Sequence, residues 1–174
     1  MAPIILETPR LQLREMNILD MKALSSILQD EKVMYDYNGA FSEEETTAWM
    51  QKQLQRYKEH GFGLWAVLKK ETNEMIGQCG ITLQEYNNTQ VPEIGYLFAY
   101  KYWHKGYATE AAIACREYGF QILHFNVLYS IIRDTNISSQ KVAIRNGMSL
   151  IDTIIKHYRG VEMPHRVYCI KYEP

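Results

Sequence analysis

The stretch EIGYLFAYKYWHKGYATEA, residues 93–111, joins two patterns of different period. Its first half belongs to a segment, 91–100, that is rich in aromatic and branched apolar residues, which predicts a strand. Its second half runs into AAIACREYGFQIL and predicts a helix over 106–124. The apolar segment 127–134 follows and predicts another strand. A strand–helix–strand unit of this kind, 91–134, predicts a parallel pair of strands joined by a right-handed crossover.

The remainder of the chain predicts mostly strands around this unit. Ser42 and Glu45 have the spacing of a capping box, so we expect a helix that begins there and reaches about His60. The turn-like ETNE separates two apolar runs and predicts a hairpin. These patterns predict a single α/β (α+β) domain, residues 1–174, with one mixed, mostly antiparallel sheet flanked by helices. The other predicted elements are a strand around Leu11, Leu13 and Met16, a helix over 18–29, a short helix over 138–146 that ends at Asn146-Gly147, and strands over 149–157 and 165–172.

The composition is that of an ordinary globular protein. The 174 residues are 47% hydrophobic and 22% charged, with a net charge of -1. No broad basic surface for nucleic acid is visible, so no direct nucleic-acid partner is expected. No apolar run approaches the roughly 20 residues that span a membrane, and MAPIILETPR lacks the pattern of a signal peptide. We therefore expect a cytoplasmic protein with no membrane partner.

The cysteines give no sign of a metal site or a disulfide framework. Cys79, Cys115 and Cys169 are scattered and odd in number. We expect reduced, buried thiols and no bound metal.

The junction between the central strand and helix has the features of an anion site. A helix N-terminus presents unpaired backbone N–H groups and a partial positive charge, and phosphates are its usual ligands. Gly106 would let a phosphate oxygen approach the backbone, and Ala108 keeps the next turn narrow. The spacing suits a pyrophosphate, although glycine before a helix is also common in plain turns. The segment matches neither a Walker loop nor G-x-G-x-x-G.

A second polar segment, DTNISSQKVAIRNGM, occupies residues 134–148. Asn136 and Ser139 flank the start of its short helix, where either side chain could cap the helix. Alternatively, both direct polar groups into a cleft beside the strand 127–134. The two interpretations do not exclude each other.

Together these segments resemble the GCN5-related N-acetyltransferase (GNAT) superfamily, above all its branch of ribosomal-protein N-terminal acetyltransferases (RimJ/RimL-like). LETPRLQLREMNILDMKAL resembles the opening strand and helix of that branch, EIGYLFAYKYWHKGYATEA its acetyl-CoA loop, and NISSQKVAIRNGM its N-x-x-S…G-[FM] segment. The resemblance covers nearly the whole chain. It implies the GNAT fold, in which the strand before the loop splays away from the next parallel strand and leaves a cleft for acetyl-CoA.

The resemblance implies acetyl-CoA as co-substrate and no metal. Pantetheine would lie along the backbone of Leu97, Phe98 and Ala99, with Asn136 and Ser139 near the pantetheine and the thioester sulfur. The pyrophosphate would bind the loop and helix start formed by His104, Lys105, Gly106, Tyr107, Ala108 and Thr109.

Three residues of the acetyl-CoA loop and the N-x-x-S segment depart from the family pattern. Trp103 stands where the superfamily often has Arg or Gln, and His104 stands where the branch usually has Gly. His104 can still donate its N–H to a phosphate if its φ is ordinary, and it could add charge when protonated. Ala143 stands where many members carry a Tyr that protonates the departing thiolate. The resemblance then implies Ser139 as the group that assists the thiolate, and the CoA thiol is acidic enough to need little help.

The implied reaction is direct attack of a primary amine on the thioester, with backbone N–H groups polarising its carbonyl. The amine must be neutral, and an α-amine with a pKa of about 7.7–8.0 needs less help than a side-chain amine of about 10.4. Glu93 is the first candidate base, acting through water, although a Glu at a strand start is often only a surface charge. His165 is the second candidate, and Glu162 and Tyr158 are weaker. A covalent route through Cys115 is disfavoured, because a thiol in the middle of a helix is expected to be buried and inert.

The acceptor cleft would be formed by the first 60 residues and the last hairpin. Acidic residues there could steer a cationic amine, although the electrostatics of a helix start explain some of them equally well. The resemblance favours a protein or peptide α-amine, with a polyamine, an aminoglycoside or an amino acid as alternatives. The acidic residues are Asp30, Glu31, Asp36, Glu43, Glu44 and Glu45.

Two other functions stay open. Ala143 and the Trp103-His104 pair favour a non-catalytic acetyl-CoA-binding sensor, which would bind the cofactor without turnover. A different nucleotide-binding α/β protein would bind ATP or a dinucleotide better than CoA. A monomer and a homodimer are both compatible with the sequence.

Overall fold

The computed structural model describes residues 2–174, so Met1, the first residue of the predicted domain, lies outside the described residues. Strands and helices follow each other along the chain, and one helix connects two strands in its middle. The elements are β1 (Ile4–Glu7), β2 (Leu11–Arg14), α1 (Met21–Leu28), α2 (Glu43–His60), β3 (Leu64–Lys69), β4 (Glu74–Tyr86), β5 (Thr89–Phe98), α3 (Tyr107–Gln121), β6 (Val127–Arg133), α4 (Ile137–Arg145), β7 (Ser149–Tyr158) and β8 (Val161–Lys171).

Local sequence patterns account for most of these elements. The capping box at the start of α2 is confirmed, because Ser42 and Glu45 each accept the backbone N–H of the other. Gly147 follows α4 with a φ of 84°, the left-handed conformation typical of the residue after a helix. The predicted helix over 18–29 is divided, since residues 18–20 form a short 3-10 helix before α1. The edge strand β1 has no counterpart among the predicted elements.

All eight strands form one sheet in the order β1-β2-β3-β4-β5-β6-β8-β7. Neighbouring strands are antiparallel throughout, except for β5 and β6, which are parallel. The mixed, mostly antiparallel sheet and the parallel pair are therefore confirmed. The handedness of the crossover through α3 stays a prediction.

The centre of the sheet is buried on both faces. Along β3, Trp65 and Val67 belong to one apolar cluster with α3, whereas Leu64 and Ala66 belong to another with α1 and α2. This alternation follows from the two-residue period of a strand. Helices on both sides explain why β3 has no polar face.

Strands β5 and β6 pair at one position and then diverge. Glu93 pairs with Tyr129 in the parallel register. One step further, the N–H of Ile131 donates to Oε2 of Glu93 at 2.5 Å, and the hydroxyl of Ser130 donates to the carbonyl of Ile94 at 2.8 Å. Side-chain groups thus take the place of the next ladder bonds, so the strands separate without leaving these backbone groups unpaired.

The connection from β5 to α3 contains two residues in the left-handed region. His104 has a φ of 61°, and Gly106, which directly precedes α3, has a φ of 81°. The condition of an ordinary φ, under which His104 was expected to donate its N–H, is therefore not met. The left-handed conformation also explains why the resembling branch usually has glycine at this position.

The cysteines are reduced, but they are not equally buried. Cys79 of β4 and Cys115 of α3 are buried with their Sγ atoms 3.6 Å apart, and burial raises the pKa of the Cys79 thiol. Cys169 is half-buried, because it lies on β8, one strand from the edge of the sheet. The expectation that all three thiols are buried is thus wrong for Cys169.

Gly80 and Gly95 lie opposite each other on β4 and β5, but only Gly95 has room for a side chain. A Cβ at Gly80 would lie 1.9 Å from the carbonyl oxygen of Gly63, whereas a Cβ at Gly95 would lie 3.7 Å from its nearest neighbour, in Leu64. We expect Gly80→Ala to lower the free energy of unfolding in urea by about 3 kcal/mol. Gly95→Ala is the control, with an expected change below about 1 kcal/mol. Equal losses in the two variants would contradict this packing.

His104→Gly should stabilise the protein. The left-handed conformation costs a residue with a Cβ roughly 1–2 kcal/mol, which exceeds the about 0.5–1 kcal/mol that glycine loses in backbone freedom. We expect the free energy of unfolding to rise by about 0.5–1 kcal/mol in the same urea titration. Lys105→Gly is the control, because the φ of Lys105 is not positive, and it should lower stability. A less stable His104→Gly protein would mean that contacts of the imidazole outweigh the backbone strain.

Candidate active site

A cavity of about 400 Å³ opens where β5 and β6 diverge. Its walls come from α2, β5, β6, the start of α4 and the β7–β8 hairpin. Five of the predicted site residues line this cavity, so the structure brings them together: Glu93, Leu97, Asn136, Ser139 and His165. The loop 104–109 lies outside the lining.

The turn of the β7–β8 hairpin closes one end of the cavity against α2. Arg159 donates from Nη2 to both carboxylate oxygens of Glu45, at 2.7 and 2.6 Å, and from Nη1 to the carbonyls of Asn38 and Gly39. The neighbouring Tyr158 lines the cavity. Glu45 therefore serves both as part of the α2 cap and as an anchor for the hairpin.

Most of the acidic residues that were expected to steer an amine lie outside the cavity lining. Asp36 does line the cavity, and it accepts the hydroxyl of Thr135 at 2.6 Å. Asp30 and Glu31 accept backbone N–H groups within their own loop. Residues 43–45 occupy the first turn of α2, where the helix-start explanation accounts for them.

The backbone of β5 presents alternate residues to β4 and to the gap. Because Ile94 accepts from Ser130 of β6, the backbone groups of Ile94, Tyr96 and Phe98 face the gap. The Phe98 carbonyl accepts the indole N–H of Trp103 at 2.9 Å. Within residues 2–174, the N–H and carbonyl of Tyr96 and the N–H of Phe98 are left without a ladder partner.

The expectation that Leu97 and Ala99 turn their backbone toward the gap is wrong. Leu97 is paired with Gln78 of β4, and the N–H of Ala99 donates to the carbonyl of Ile76 at 2.9 Å. The physical reason is the two-residue alternation, which sends these two residues toward the opposite neighbour. The side chain of Leu97 still lines the cavity.

The loop 104–109 is a run of free backbone donors. None of its six N–H groups donates to a backbone carbonyl of residues 2–174, whereas the next N–H, of Glu110, donates to the carbonyl of Gly106 at 3.0 Å. The run ends in the first turn of α3, where a helix carries its partial positive charge.

The turn between β1 and β2 fixes this loop from one side. Arg10 donates from Nε to Glu110 at 2.7 Å and from Nη1 to the carbonyl of Lys105 at 2.9 Å, and its guanidinium lies 4.2 Å from the centre of the Tyr107 ring. Thr8 donates to the same Glu110 carboxylate at 2.6 Å. Sequence reasoning missed Arg10, because its partners lie 95 and 100 residues further along the chain.

Glu93 is half-buried, with one carboxylate oxygen tied to the backbone of β6. Oε2 accepts the N–H of Ile131, while Oε1 has no hydrogen-bond partner within residues 2–174. Burial raises the pKa of Glu93 to about 7, against the opposing effects of Lys156, the Ile131 N–H and Arg56. This carboxyl group therefore exchanges its proton near neutral pH.

Asn136 and Ser139 make different contacts at the start of α4. The side-chain carbonyl of Asn136 accepts the N–H of Ser139 at 3.1 Å, so Asn136 caps the helix and also lines the cavity. The carbonyl of Ser139 accepts the hydroxyl of Tyr96 at 2.7 Å. Ala143 is only 1% exposed and belongs to the apolar core, so it offers no group to the cavity.

His165 is half-buried on β8. Its Nδ1 lies 2.9 Å from the carbonyl of Met163, so Nδ1 carries the proton of the neutral ring and Nε2 is the basic nitrogen. Burial lowers the pKa of His165. Glu162, a weaker candidate, lies outside the lining and pairs with the exposed His157 at 3.8 Å.

Four cationic side chains in the lining were not singled out by the sequence. Lys52 and Arg56 lie four residues apart on α2, a spacing that places both on one helix face. Arg133 comes from the end of β6 and Lys156 from β7. The spacing of Lys52 and Arg56 could have been recognised in the sequence. Arg133 and Lys156 come near them only in the folded sheet.

Within residues 2–174, no helix combines the length and the apolar character needed to cross a membrane. In the same range, no group of three or more His, Cys, Asp and Glu side chains is arranged to hold a metal ion.

Comparison with known sequences identifies the family. Residues 10–149 match the model of the acetyltransferase (GNAT) domain. The chain is 38% identical to the uncharacterized protein YkkB of Bacillus subtilis over 162 residues, which are 92% of this chain and 94% of YkkB.

Solved structures show the same fold. An acetyltransferase from Agrobacterium tumefaciens is 27% identical and superposes with a TM-score of 0.81 over 99% of this chain and 96% of that one. RimL, a ribosomal alpha-N-protein acetyltransferase solved in complex with coenzyme A, is 20% identical with a TM-score of 0.79 over 97% of this chain and 98% of RimL. The GNAT fold is thus confirmed, and the chain belongs to the GNAT family of acetyltransferases.

Proposed function

We propose that this acetyltransferase transfers the acetyl group of acetyl-CoA to a primary amine by direct attack within a ternary complex. The observation that carries the proposal is the cleft between β5 and β6. In it, Glu93, with its pKa raised to about 7, lies beside the free backbone donors of β5. Acetyl-CoA supplies the activated thioester, and residues of the chain bind it, orient it and move the protons.

The gap-facing backbone of Tyr96 and Phe98 pairs with the pantetheine arm. These groups would have bonded to β6 if the parallel ladder continued, so they are available to an extended ligand in the gap. A backbone N–H of this strand also polarises the thioester carbonyl as negative charge develops on it. Leu97 contributes its side chain to the cavity wall.

The loop 104–109 binds the pyrophosphate. Its free N–H groups and the start of α3 provide several donors and a partial positive charge. Arg10 holds the loop through the carbonyl of Lys105, and the ring of Tyr107 packs beneath its guanidinium.

Glu93 acts as the base, through a water molecule. Its pKa of about 7 lies close to the about 7.7–8.0 of an α-amine and far below the about 10.4 of a side-chain amine, so it accepts a proton more readily from the former. This match supports a protein or peptide α-amine as the acceptor. His165, whose basic Nε2 is free of the Met163 contact, is the second candidate.

Ser139 assists the departing thiolate. It lines the cavity at the start of α4, and the buried Ala143 has no proton to give. The hydroxyl of Tyr96 is occupied by the carbonyl of Ser139, so it holds the start of α4 against β5.

Gly106→Glu should abolish acetyl-CoA binding, because it places a side chain and a negative charge among the donors before α3. Gly61→Glu is the control, since Gly61 has a similar φ of 77° and open space around it. We expect calorimetric titration to show micromolar binding of acetyl-CoA to the wild-type protein and to Gly61→Glu. We expect at least about a hundredfold loss in Gly106→Glu.

The same titration with CoA and ATP separates the alternatives. A folded wild-type protein that binds ATP but not acetyl-CoA contradicts the acetyltransferase proposal. Binding of acetyl-CoA without thiol release on any amine would identify a sensor instead.

Activity should depend on the ionised form of Glu93. Since the charged carboxylate is the base, kcat/KM should show an ionisation with a midpoint near 7, in addition to the titration of the α-amine itself at about 7.7–8.0. Glu93→Gln removes this ionisation while its amide oxygen can still accept the Ile131 N–H. We expect kcat/KM to fall by about 10²–10⁴-fold and the midpoint to disappear, measured by thiol release between pH 6 and about 9.

His165→Gln and Ser139→Ala are the comparison variants in this assay. Both should keep the midpoint near 7, and Ser139→Ala should lower kcat. If the midpoint survives in Glu93→Gln and disappears in His165→Gln, the base is His165 and the assignment to Glu93 is wrong.

A further inference from the structure

The cavity is lined by more positive than negative side chains. Four cations face it, against the two carboxylates of Asp36 and Glu93, which leaves a net charge of +2 when both carboxylates are ionised. Asp36 is engaged by the hydroxyl of Thr135. The cations are Lys52, Arg56, Arg133 and Lys156.

None of these four cations has a carboxylate partner. Within residues 2–174, no Asp or Glu oxygen lies within 4.0 Å of their charged nitrogens, whereas other arginines do have such partners. Arg56, Arg133 and Lys156 are nevertheless half-buried. Burial lowers the pKa of Arg56, which reflects the cost of removing its charge from water, whereas Lys52 is exposed. An arrangement of this kind favours a ligand that brings its own negative charge.

The phosphates of acetyl-CoA are not the expected counter-charge. The donors proposed for the pyrophosphate are residues 104–109, and none of them lines the cavity. The cations instead surround the candidate base. Arg56 on α2 and Lys156 on β7 both line the cavity, and the charge of each lowers the pKa of Glu93. We therefore expect these cations to interact with the acceptor, the compound whose amine is acetylated.

We propose that the acceptor carries carboxylate groups next to its amine, as an acidic amino acid or the N-terminus of an acidic peptide does. This inference rests on the proposed amine acetylation and names its substrate class. The amine would lie near Oε1 of Glu93, and the carboxylates would pair with Arg56 and Lys156. Polyamines and aminoglycosides, which are multiply cationic, would be repelled by the same side chains.

The first test compares acceptors that differ only in charge. Thiol release from acetyl-CoA is measured with peptides that begin Glu-Glu, Gln-Gln or Lys-Lys, with free glutamate and glutamine, and with spermidine. We expect kcat/KM to be at least about tenfold higher for the Glu-Glu peptide or for free glutamate than for the glutamine counterparts. The acidic compound with the higher kcat/KM shows whether the acceptor is a peptide N-terminus or a free amino acid. Equal or faster turnover of the Lys-Lys peptide or spermidine would overturn the inference while leaving amine acetylation intact.

The second test changes the cations. Arg56→Gln and Lys156→Gln should each move the ratio of kcat/KM between acidic and neutral acceptors toward 1, by about tenfold to a hundredfold. Lys156→Glu should shift the preference toward the cationic peptide. Lys22→Gln is the control, because Lys22 is exposed on α1 and lies outside the lining. An unchanged ratio in both glutamine variants would overturn the inference.

A binding measurement separates this inference from the proposed function. If the wild-type protein acetylates no amine of any class, the proposed function fails. Calorimetric binding of N-acetylglutamate and N-acetylglutamine to the CoA-loaded protein then still tests the charge selectivity. Preferential binding of the acidic compound supports the inference, and equal or absent binding of both overturns it.

Discussion

The gap between β5 and β6 depends on one hydrogen bond, which the N–H of Ile131 donates to the carboxylate of Glu93. In a continued parallel ladder this N–H would donate to the carbonyl of Ile94. That carbonyl instead accepts the hydroxyl of Ser130, so both backbone groups are satisfied by side chains. An unpaired buried backbone group costs about 1–3 kcal/mol, and the two side chains remove that penalty from the divergence of the strands. The gap is thus a property of the sheet, and it leaves the backbone of Tyr96 and Phe98 available for a ligand.

The same carboxylate meets two demands that would otherwise conflict. A group that holds two strands apart must be well anchored, whereas a base needs an accessible oxygen and a pKa near the working pH. Glu93 satisfies both, because Oε2 is anchored and Oε1 is not. Burial alone would raise its pKa further than the about 7 that results, and the Ile131 N–H together with Lys156 and Arg56 opposes that rise. The geometry of the gap and the raised pKa of the proposed base therefore both depend on the position of Glu93.

Features that depend on residues close together in the sequence could be predicted, whereas features that depend on contacts between distant segments could not. The capping box of α2 and the strand–helix–strand unit are local patterns, and they were predictable. The direction of the backbone groups of Leu97 and Ala99 was not predictable, because it depends on which of the two neighbouring strands, β4 or β6, each residue of β5 bonds to. Arg10 and Lys156 were missed for a related reason, since each acquires its role only through elements distant in the chain. The positive φ of His104 reflects the path from β5 into α3, which the side chain itself does not reveal.

The proposed acceptor would also change the pKa of Glu93, the base proposed to deprotonate it. Arg56 and Lys156 lower the pKa of Glu93, so a carboxylate placed beside them would cancel part of their field and raise that pKa. A carboxylate with a higher pKa accepts a proton more readily from an ammonium group. A cationic acceptor would have the opposite effect, because added positive charge lowers the pKa of Glu93. Selection between acidic and basic acceptors would therefore operate twice, once when the acceptor binds and again when its proton is removed.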